Sequence, residues 1–297
     1  MKRASAELQT AILAWYDASG RTLAFRSTSD PYAVLVSEVM AQQTQIGRVA
    51  VAWSAFLAAY PTVRALADAQ PAEVLRAWRG LGYNRRALNL WRAARVVVDE
   101  HGGDLPPDVA KLERLPGVGR YTARAVAAIA FGMPVGAVDT NVRRVLGRAV
   151  GGSRDAFKDS ELQALADASV APDRPADWTH AVMDVGATFC RPVPRCDACP
   201  ARRACRYARS AGSHEARRSV PLTVTPFPAT SRWLRGRILD VLRDGSGWVT
   251  VAERIGSHDR VAVSAALADL AAEGLAERDP DDPLIARLPV ARVAASG

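Results

Sequence analysis

The chain has 297 residues, 49% of them hydrophobic, enough for two or three domains with buried cores. No apolar run reaches the length of a membrane helix, and the opening MKRASAELQT lacks the apolar segment of a secretory leader, so a cytoplasmic protein is expected. The net charge is +8, and only Lys2, Lys111 and Lys158 are lysines; an arginine-dominated excess favours an acidic partner such as nucleic acid, because guanidinium forks match phosphates.

Taken in order, residues 3–19 read as a helix with Leu8, Ile12, Leu13 and Tyr16 on one face. RTLAFR (Arg21–Arg26) breaks the pattern. Asp30 then caps a helix that begins at Pro31 and runs into SEVMAQQTQ. Glu38 there is flanked by Val36, Val39 and Met40. It is either a helix-surface residue or a partly buried carboxyl with a raised pKa. Gln42, Gln43 and Thr44 end or follow that helix; amides of this kind either finish a polar helix end or read base edges. Short helices are expected over 47–60, 63–69 and 72–79, then the turn Gly80-Leu81-Gly82-Tyr83-Asn84-Arg85-Arg86 and a helix from Ala87 to His101. Tyr83 in that turn is a core tyrosine or a wedge for a base stack.

The most informative stretch is LPGVGRYTARAVAAIAFGMPVGAVDTNVRRVLGR, Leu115–Arg148. A short helix over 108–114 leads into the turn Leu115–Gly119, and a second helix follows from Tyr121 to Phe131. Gly117 and Gly119 permit a close backbone approach, and the N–H groups of Val118–Arg120 at the start of the second helix form an anion site. Together the two helices make a helix-hairpin-helix phosphate clamp. A loop then delivers Asp139, beside Asn141 and the basic trio Arg143, Arg144 and Arg148.

All four cysteines fall in one window as C-x5-C-x2-C-x5-C: Cys190, Cys196, Cys199 and Cys205. Four thiolates this close can hold zinc or a [4Fe–4S] cluster, and spacing alone leaves both open. Strand-like alternation is absent before residue 210, so the N-terminal part reads as all-helical. Residues 210–230 read as a linker. Beyond it the expected order is a helix over Arg232–Arg243, a strand over Trp248–Val251, a helix over Ala252–Ile255, a helix over Arg260–Glu273, and a hairpin of Leu275–Arg278 with Leu284–Leu288 around an Asp/Pro-rich turn.

VSEVMAQQTQ, GLGY, LPGVGRYTA, VDTNVRRV and the cysteine cluster occur in the order seen in helix-hairpin-helix (HhH-GPD) DNA glycosylases. Within that superfamily the sequence most resembles the adenine-excising mismatch glycosylases (the MutY family), beside the endonuclease III branch, over about residues 5–206. The resemblance implies a mainly α, two-lobed glycosylase core with a four-cysteine cluster loop. One lobe would comprise 1–28 and 139–210, the other 29–138 with the helix-hairpin-helix. A linker at 211–230 and a small α+β winged-helix-like domain at 231–292 would follow. The C-terminal part looks too small for the Nudix-like domain that many adenine glycosylases use to recognise 8-oxoguanine.

By resemblance, Asp139 is the acid facing the sugar C1′, Glu38 handles protons at the base, and Asn141 supports Asp139. Tyr121 stands where strand-cutting members carry a nucleophilic lysine, which implies a monofunctional enzyme. Arg21, Leu23, Phe25, Arg26 and Asp184 would line the base pocket. Gln43 and Tyr83 would flank the base opposite the target, supported by Thr44 and Leu81, while Gly117, Val118, Gly119 and Arg143 would contact the backbone. The four cysteines would hold a [4Fe–4S] cluster. The partner would be double-stranded DNA with a mispaired or damaged base, and no membrane; a monomer is expected. The implied activity is hydrolytic removal of adenine opposite 8-oxoguanine or guanine. The alternatives are a monofunctional glycosylase for thymine/uracil or hypoxanthine and a non-catalytic DNA-binding protein. The chain departs from the family's usual residues at Ala24-Phe25 (LAFR for LPWR), at Asn84 for a frequent tyrosine, at Thr140 for glycine, at Asp184 for glutamate, and in the five rather than six residues between the first two cysteines.

Overall fold

The computed structural model describes residues 2–210 and 225–290. They gather into two compact units: Met1–Val39 with Leu105–Arg218, and Met40–Asp104 with Ser219–Gly297. The expected lobe boundaries lay at 28/29 and 138/139; the compact units instead divide at 39/40 and 104/105. The hairpin helices pack on the helix that leads to the cysteines, which draws residues 105–138 into the first unit.

In the first unit, α1 (Ala6–Ser19) begins at Ser5, whose hydroxyl accepts from the Leu8 N–H at 3.2 Å. Asp30 opens α2 (Pro31–Ala41) as expected, accepting from the N–H groups of Tyr32 at 2.7 Å and Ala33 at 3.2 Å. Residues 40–104 belong to the second unit, and the chain re-enters the first ahead of the helices Val109–Glu113 (α7) and Arg120–Ala130 (α8). There follow α9 (Thr140–Leu146), a single π-turn at Gly147–Gly151, α10 (Asp159–Ala168), α11 (Pro175–Thr188) and the short α12 (Arg206–Arg209). The core is one apolar cluster in which Leu8 and Ile12 meet Val145 and Leu146 of α9, Leu162 and Leu165 of α10, and Trp178 and Val185 of α11. Burial of this face is what holds helices of modest length in place.

The second unit contains α3 (Ile46–Ala59), α4 (Val63–Asp68), α5 (Pro71–Ala77) and α6 (Arg85–His101). Phe56 meets Trp78 edge-on, 5.8 Å between ring centres, and Trp91 donates its indole N–H to the Ala69 carbonyl at 3.0 Å. Gly102 ends α6 in the left-handed conformation that favours glycine. The same unit holds α13 (Ser231–Asp244), β1 (Val249–Thr250), α14 (Arg260–Ala272), β2 (Glu277–Arg278) and β3 (Ile285–Arg287), in a three-stranded antiparallel sheet of order β1-β3-β2. Val249 pairs with Ala286 and Glu277 with Arg287.

The expected helix over Ala252–Ile255 does not form. The chain makes an irregular turn closed by reciprocal hydrogen bonds between Ile255 and His258, because Gly256 takes a φ of 61° to pass the Trp233 indole, on which the His258 ring stacks. Of the expected linker, residues 211–224 lie outside the described residues, and Phe227–Ala229 forms a single 3-10 turn ahead of α13.

A buried guanidinium joins α13 to the rest of its unit. Arg243, only 6% exposed, donates to the Leu75 carbonyl at 2.9 Å and to Asn84 Oδ1 at 2.6 Å. Arg76 replies with hydrogen bonds to the carbonyls of Arg243 and Gly245. Arg243→Leu should therefore lower unfolding free energy by about 2–4 kcal/mol, since two acceptors lose their partner inside the protein. Denaturant unfolding of the full chain tests this; a midpoint equal to that of the parent protein would mean the contact is dispensable.

Candidate active site

Asp139 is the N-cap of α9. Its Oδ1 accepts from the Val142 N–H at 2.7 Å and its Oδ2 from Asn141 Nδ2 at 2.6 Å. Both donors aim the carboxylate, so its orientation is set by the helix start itself. Asn141 is in turn held by Arg144, which donates to Asn141 Oδ1 at 2.6 Å, to the Cys190 carbonyl at 2.8 Å and to the Gly186 carbonyl at 3.2 Å. Gly186 is a spatial requirement: a Cβ there would lie 2.5 Å from the Asn141 Cβ, so any side chain would push α11 off α9. A continuous series of hydrogen bonds thus runs from the carboxylate of Asp139 to the backbone of the first cysteine.

Glu38 belongs to α2 and approaches Tyr121 and Asp139 from the other side of the same pocket. Burial, opposed by a hydrogen bond from the Tyr121 hydroxyl and reinforced by the negative charge of Asp139, lifts its pKa to about 7. Tyr121 is pushed well above the ordinary phenol range by burial and by the charges of Glu38 and Asp139. Its oxygen also lies 3.7 Å from Met183 Sδ. Of the two open readings of Glu38, the enclosed carboxyl with a raised pKa is the one that the geometry supports. A carboxyl that keeps its proton up to about pH 7 thus stands beside Asp139, each at its own helix.

The remaining pocket residues are organised by Asp184, which is wholly buried on α11. Arg26 donates to both of its oxygens at 2.8 Å, and Arg21 adds its Nε at 2.7 Å and its backbone N–H at 3.1 Å. Against burial, which would raise it, these bonds from Arg26 and Arg21 hold the Asp184 pKa at about 2. Asp184 has no oxygen to spare for a base and acts on the pocket through Arg26, whose charge is felt by Glu38. Phe25 is buried in the 3-10 turn Ala24–Arg26, while Leu23, which precedes that turn, keeps partial exposure. His180, also enclosed on α11, is driven down to about 3 by burial and by the neighbouring arginines, so it stays neutral.

The hairpin between α7 and α8 has the expected glycine at positive φ, Gly117 at 77°. One expectation needs correction: the Val118 N–H does not point outward but closes the turn onto the Leu115 carbonyl at 3.0 Å. The start of α8 that no side chain caps is therefore at Gly119, its N-cap. Arg143, on α9, is paired to Asp159 at 2.6 Å. Arg144 and Arg148, the other members of the basic trio, face inward. Arg148 is 1% exposed and donates to the Arg191 carbonyl at 2.6 Å, the Pro192 carbonyl at 3.2 Å and Cys190 Sγ at 3.5 Å.

Cys190, Cys196, Cys199 and Cys205 line one small cavity beneath Arg148 and Tyr207. Burial and one another's charge raise the thiols of Cys196 and Cys205, and that of Cys199 to about 11. Thiols that penalise one another in this way fit a cationic guest that takes them as thiolates. Among the described residues, no three metal-ligating side chains close on a single ion.

In the second unit, Gln43 (φ 56°) and Tyr83 (φ 45°) both adopt the left-handed backbone region, which is costly for such residues and common at working sites. Arg86, which has no evident role in the sequence, explains how they are held. It donates to the Met40 carbonyl at 2.9 Å, Thr44 Oγ1 at 2.9 Å, the Gly82 carbonyl at 3.1 Å and the Leu81 carbonyl at 3.2 Å, and also to the Gln42 carbonyl. One guanidinium thereby ties the Gln42–Thr44 turn to the Gly80–Tyr83 turn. Burial lowers its pKa to about 10, the mark of a charge enclosed by dipoles. Its only signal in the sequence is its place at the end of the glycine turn.

Residues 36–170 match the model of the HhH-GPD superfamily base excision DNA repair proteins. The adenine DNA glycosylase of Mycolicibacterium smegmatis is 43% identical over 275 residues, covering 91% of this chain and 92% of that one. A thermostable thymine-DNA glycosylase superposes with a TM-score of 0.64 at 31% identity, over 67% of this chain and 94% of its own. A trapped endonuclease III–DNA covalent intermediate gives 0.59 at 25% identity, over 68% and 93%. The acid pair therefore stands in a known scaffold, and the chain belongs to the HhH-GPD superfamily of base excision repair DNA glycosylases, within it to the adenine DNA glycosylase family.

Proposed function

We propose that the chain excises adenine mispaired with 8-oxoguanine or guanine by hydrolysing the N-glycosidic bond. The observation that carries this reading is Glu38, its pKa lifted to about 7 by burial, beside Asp139. A flipped nucleotide presents C1′ to one and the base to the other. As the bond lengthens, positive charge grows on the sugar and negative charge on the base. Asp139, fixed by Val142 and Asn141, stabilises the first. Glu38 donates its proton to a base nitrogen and then, as carboxylate, accepts one from water. A purine needs that proton to depart as a neutral molecule, whereas thymine and uracil can leave as delocalised anions. The acid therefore favours adenine, in keeping with the name of the Mycolicibacterium relative; the thymine-DNA glycosylase structure marks the competing base choice.

Tyr121 donates a hydrogen bond to Glu38 and offers no amine, and none of Lys2, Lys111 and Lys158 belongs to this pocket, which supports a glycosylase that leaves the abasic strand intact. Gly117, Gly119 and the start of α8 would grip the phosphates, helped by Arg143. Gln43, Thr44, Leu81 and Tyr83 would occupy the helix around the opposite base. Cys190, Cys196, Cys199 and Cys205 would hold a [4Fe–4S] cluster, which supplies a rigid, positively framed loop for docking rather than a step in hydrolysis. A monomer in the bacterial cytoplasm completes the proposal.

On duplexes bearing A opposite 8-oxoguanine, A·G, T·G, U·G and hypoxanthine, alkali-dependent strand breakage should occur at the adenine mispairs; no breakage at either adenine mispair refutes the base choice. Asp139→Asn should slow excision by about a hundredfold or more while leaving duplex affinity within a factor of about two; equal turnover would remove the assigned role. Because the working form of Glu38 is protonated and its pKa is about 7, the single-turnover rate should fall as pH rises through 7, by about tenfold per unit above it. Glu38→Gln should be slow and flat across the same range. Anaerobically purified protein should be brown and carry iron; stoichiometric zinc without iron would overturn the cluster assignment.

A further inference from the structure

The C-terminal domain keeps α13, β1, α14 and the β2–β3 hairpin of the expected winged-helix order without the helix at 252–255, and the surfaces such a domain ordinarily turns to DNA are ill-suited to phosphate here. The exposed positions of α14 are Val261, Ala265, Asp269 and Ala272, and Arg260 at its start is committed to Glu253. The hairpin turn between β2 and β3 carries Asp279, Asp281 and Asp282. A strand laid on either would meet carboxylates or small apolar groups.

The opposite character appears where α13 faces the Gly80–Arg86 turn. The two border a groove of about 1110 Å³, lined by eight arginines against three acids. Arg48, Arg85 and Arg232 form no ion pair among the described residues and stand exposed. The Arg232 guanidinium lies 4.4 Å from the centre of the Tyr83 ring, which is 39% exposed, and 6.0 Å from that of Phe227, which is 57% exposed. Cations interleaved with exposed rings are what a nucleic-acid strand needs, charge for its phosphates and faces for its bases. The docking is firm rather than incidental: Arg243 donates to Asn84 Oδ1 in the same turn at 2.6 Å.

We propose that α13, not α14, is the DNA-facing helix of the C-terminal domain, and that its groove with the Gly80–Arg86 turn takes the strand opposite the excised base. Arg232 is a positioning residue there. It stacks on one face of Tyr83, holds that ring in its left-handed turn, and brings a charge to the neighbouring phosphate. The strand assignment rests on placing Tyr83 beside the opposite base, as the proposed function does; the groove's affinity for DNA does not depend on catalysis.

The test uses the full chain and a duplex with a tetrahydrofuran abasic analogue opposite guanine, read by equilibrium binding over a range of salt. Arg232→Ala should weaken binding by about five- to tenfold and reduce the salt slope by about 1, whereas Arg260→Ala should leave both unchanged. Arg232→Lys should restore the salt slope but not the full affinity, because an ammonium replaces the charge without the planar stack. Ethylation interference should show phosphates that matter to the parent protein, but no longer to Arg232→Ala, on the strand opposite the analogue. Wild-type binding by Arg232→Ala, an equal or larger loss of affinity in Arg260→Ala, or an altered interference pattern on the analogue strand instead would each overturn the proposal. Failure to excise adenine would refute the proposed base choice and leave these binding outcomes readable.

Discussion

Two carboxyl groups in one pocket cannot both carry charge cheaply, and the pocket resolves this by treating them differently. Asp139 receives two N–H donors at the start of α9, which stabilise its anion. Glu38 receives burial and the field of that same anion, which favour its neutral form. The negative charge on Asp139 helps keep the proton on Glu38. The proposed acid and base assignments rest on this asymmetry.

The asymmetry depends on support well outside the pocket. Asn141 aims Asp139, Arg144 holds Asn141, and Arg144 ends on the carbonyls of Gly186 and Cys190. The missing side chain of Gly186 allows α11 close enough for that bond, and Arg148 fixes the loop from which Cys190 is presented. On the other side, Asp184 collects Arg21 and Arg26, and Arg26 tempers Glu38 with a positive field. Arg26, at the end of the 3-10 turn, and Arg21, ahead of it, close this pairing on the buried Asp184.

Features whose chemistry is local were legible in the sequence. Asp30 read as a helix start, the LPGVG turn as an anion site, and the cysteines as one ligand set, whereas Asp139 read as an acid delivered by a loop and its place as the N-cap of α9 did not show. What escaped were residues whose meaning is a three-dimensional set of acceptors. Arg86, Arg144, Arg148 and Arg243 look alike in a chain rich in arginine, and composition favoured phosphate contact for all of them. Their guanidinium groups instead satisfy carbonyls brought together by folding, several from residues more than forty positions away. The Val118 N–H was misjudged for a related reason: a tight glycine turn consumes one of the donors that it displays. The four-residue helix expected at 252–255 failed because a ring contact, Gly256 under Trp233, outweighed local propensity.

Arginine thus has two populations here, and burial separates them better than sequence does. An enclosed guanidinium is tolerable only if many dipoles surround it, and Arg86, with at least six acceptors, meets that condition. The strain at Gln43 and Tyr83 has the same origin. Left-handed backbone at two non-glycine residues persists because Arg86 fastens the turns that contain them, and the cost is borne by a network that the unfolded chain lacks. A turn held so firmly can present an exposed tyrosine without losing its shape when DNA pulls on it. The exposed arginines are then concentrated in one place, which is why a modest net charge of +8 is compatible with a basic groove.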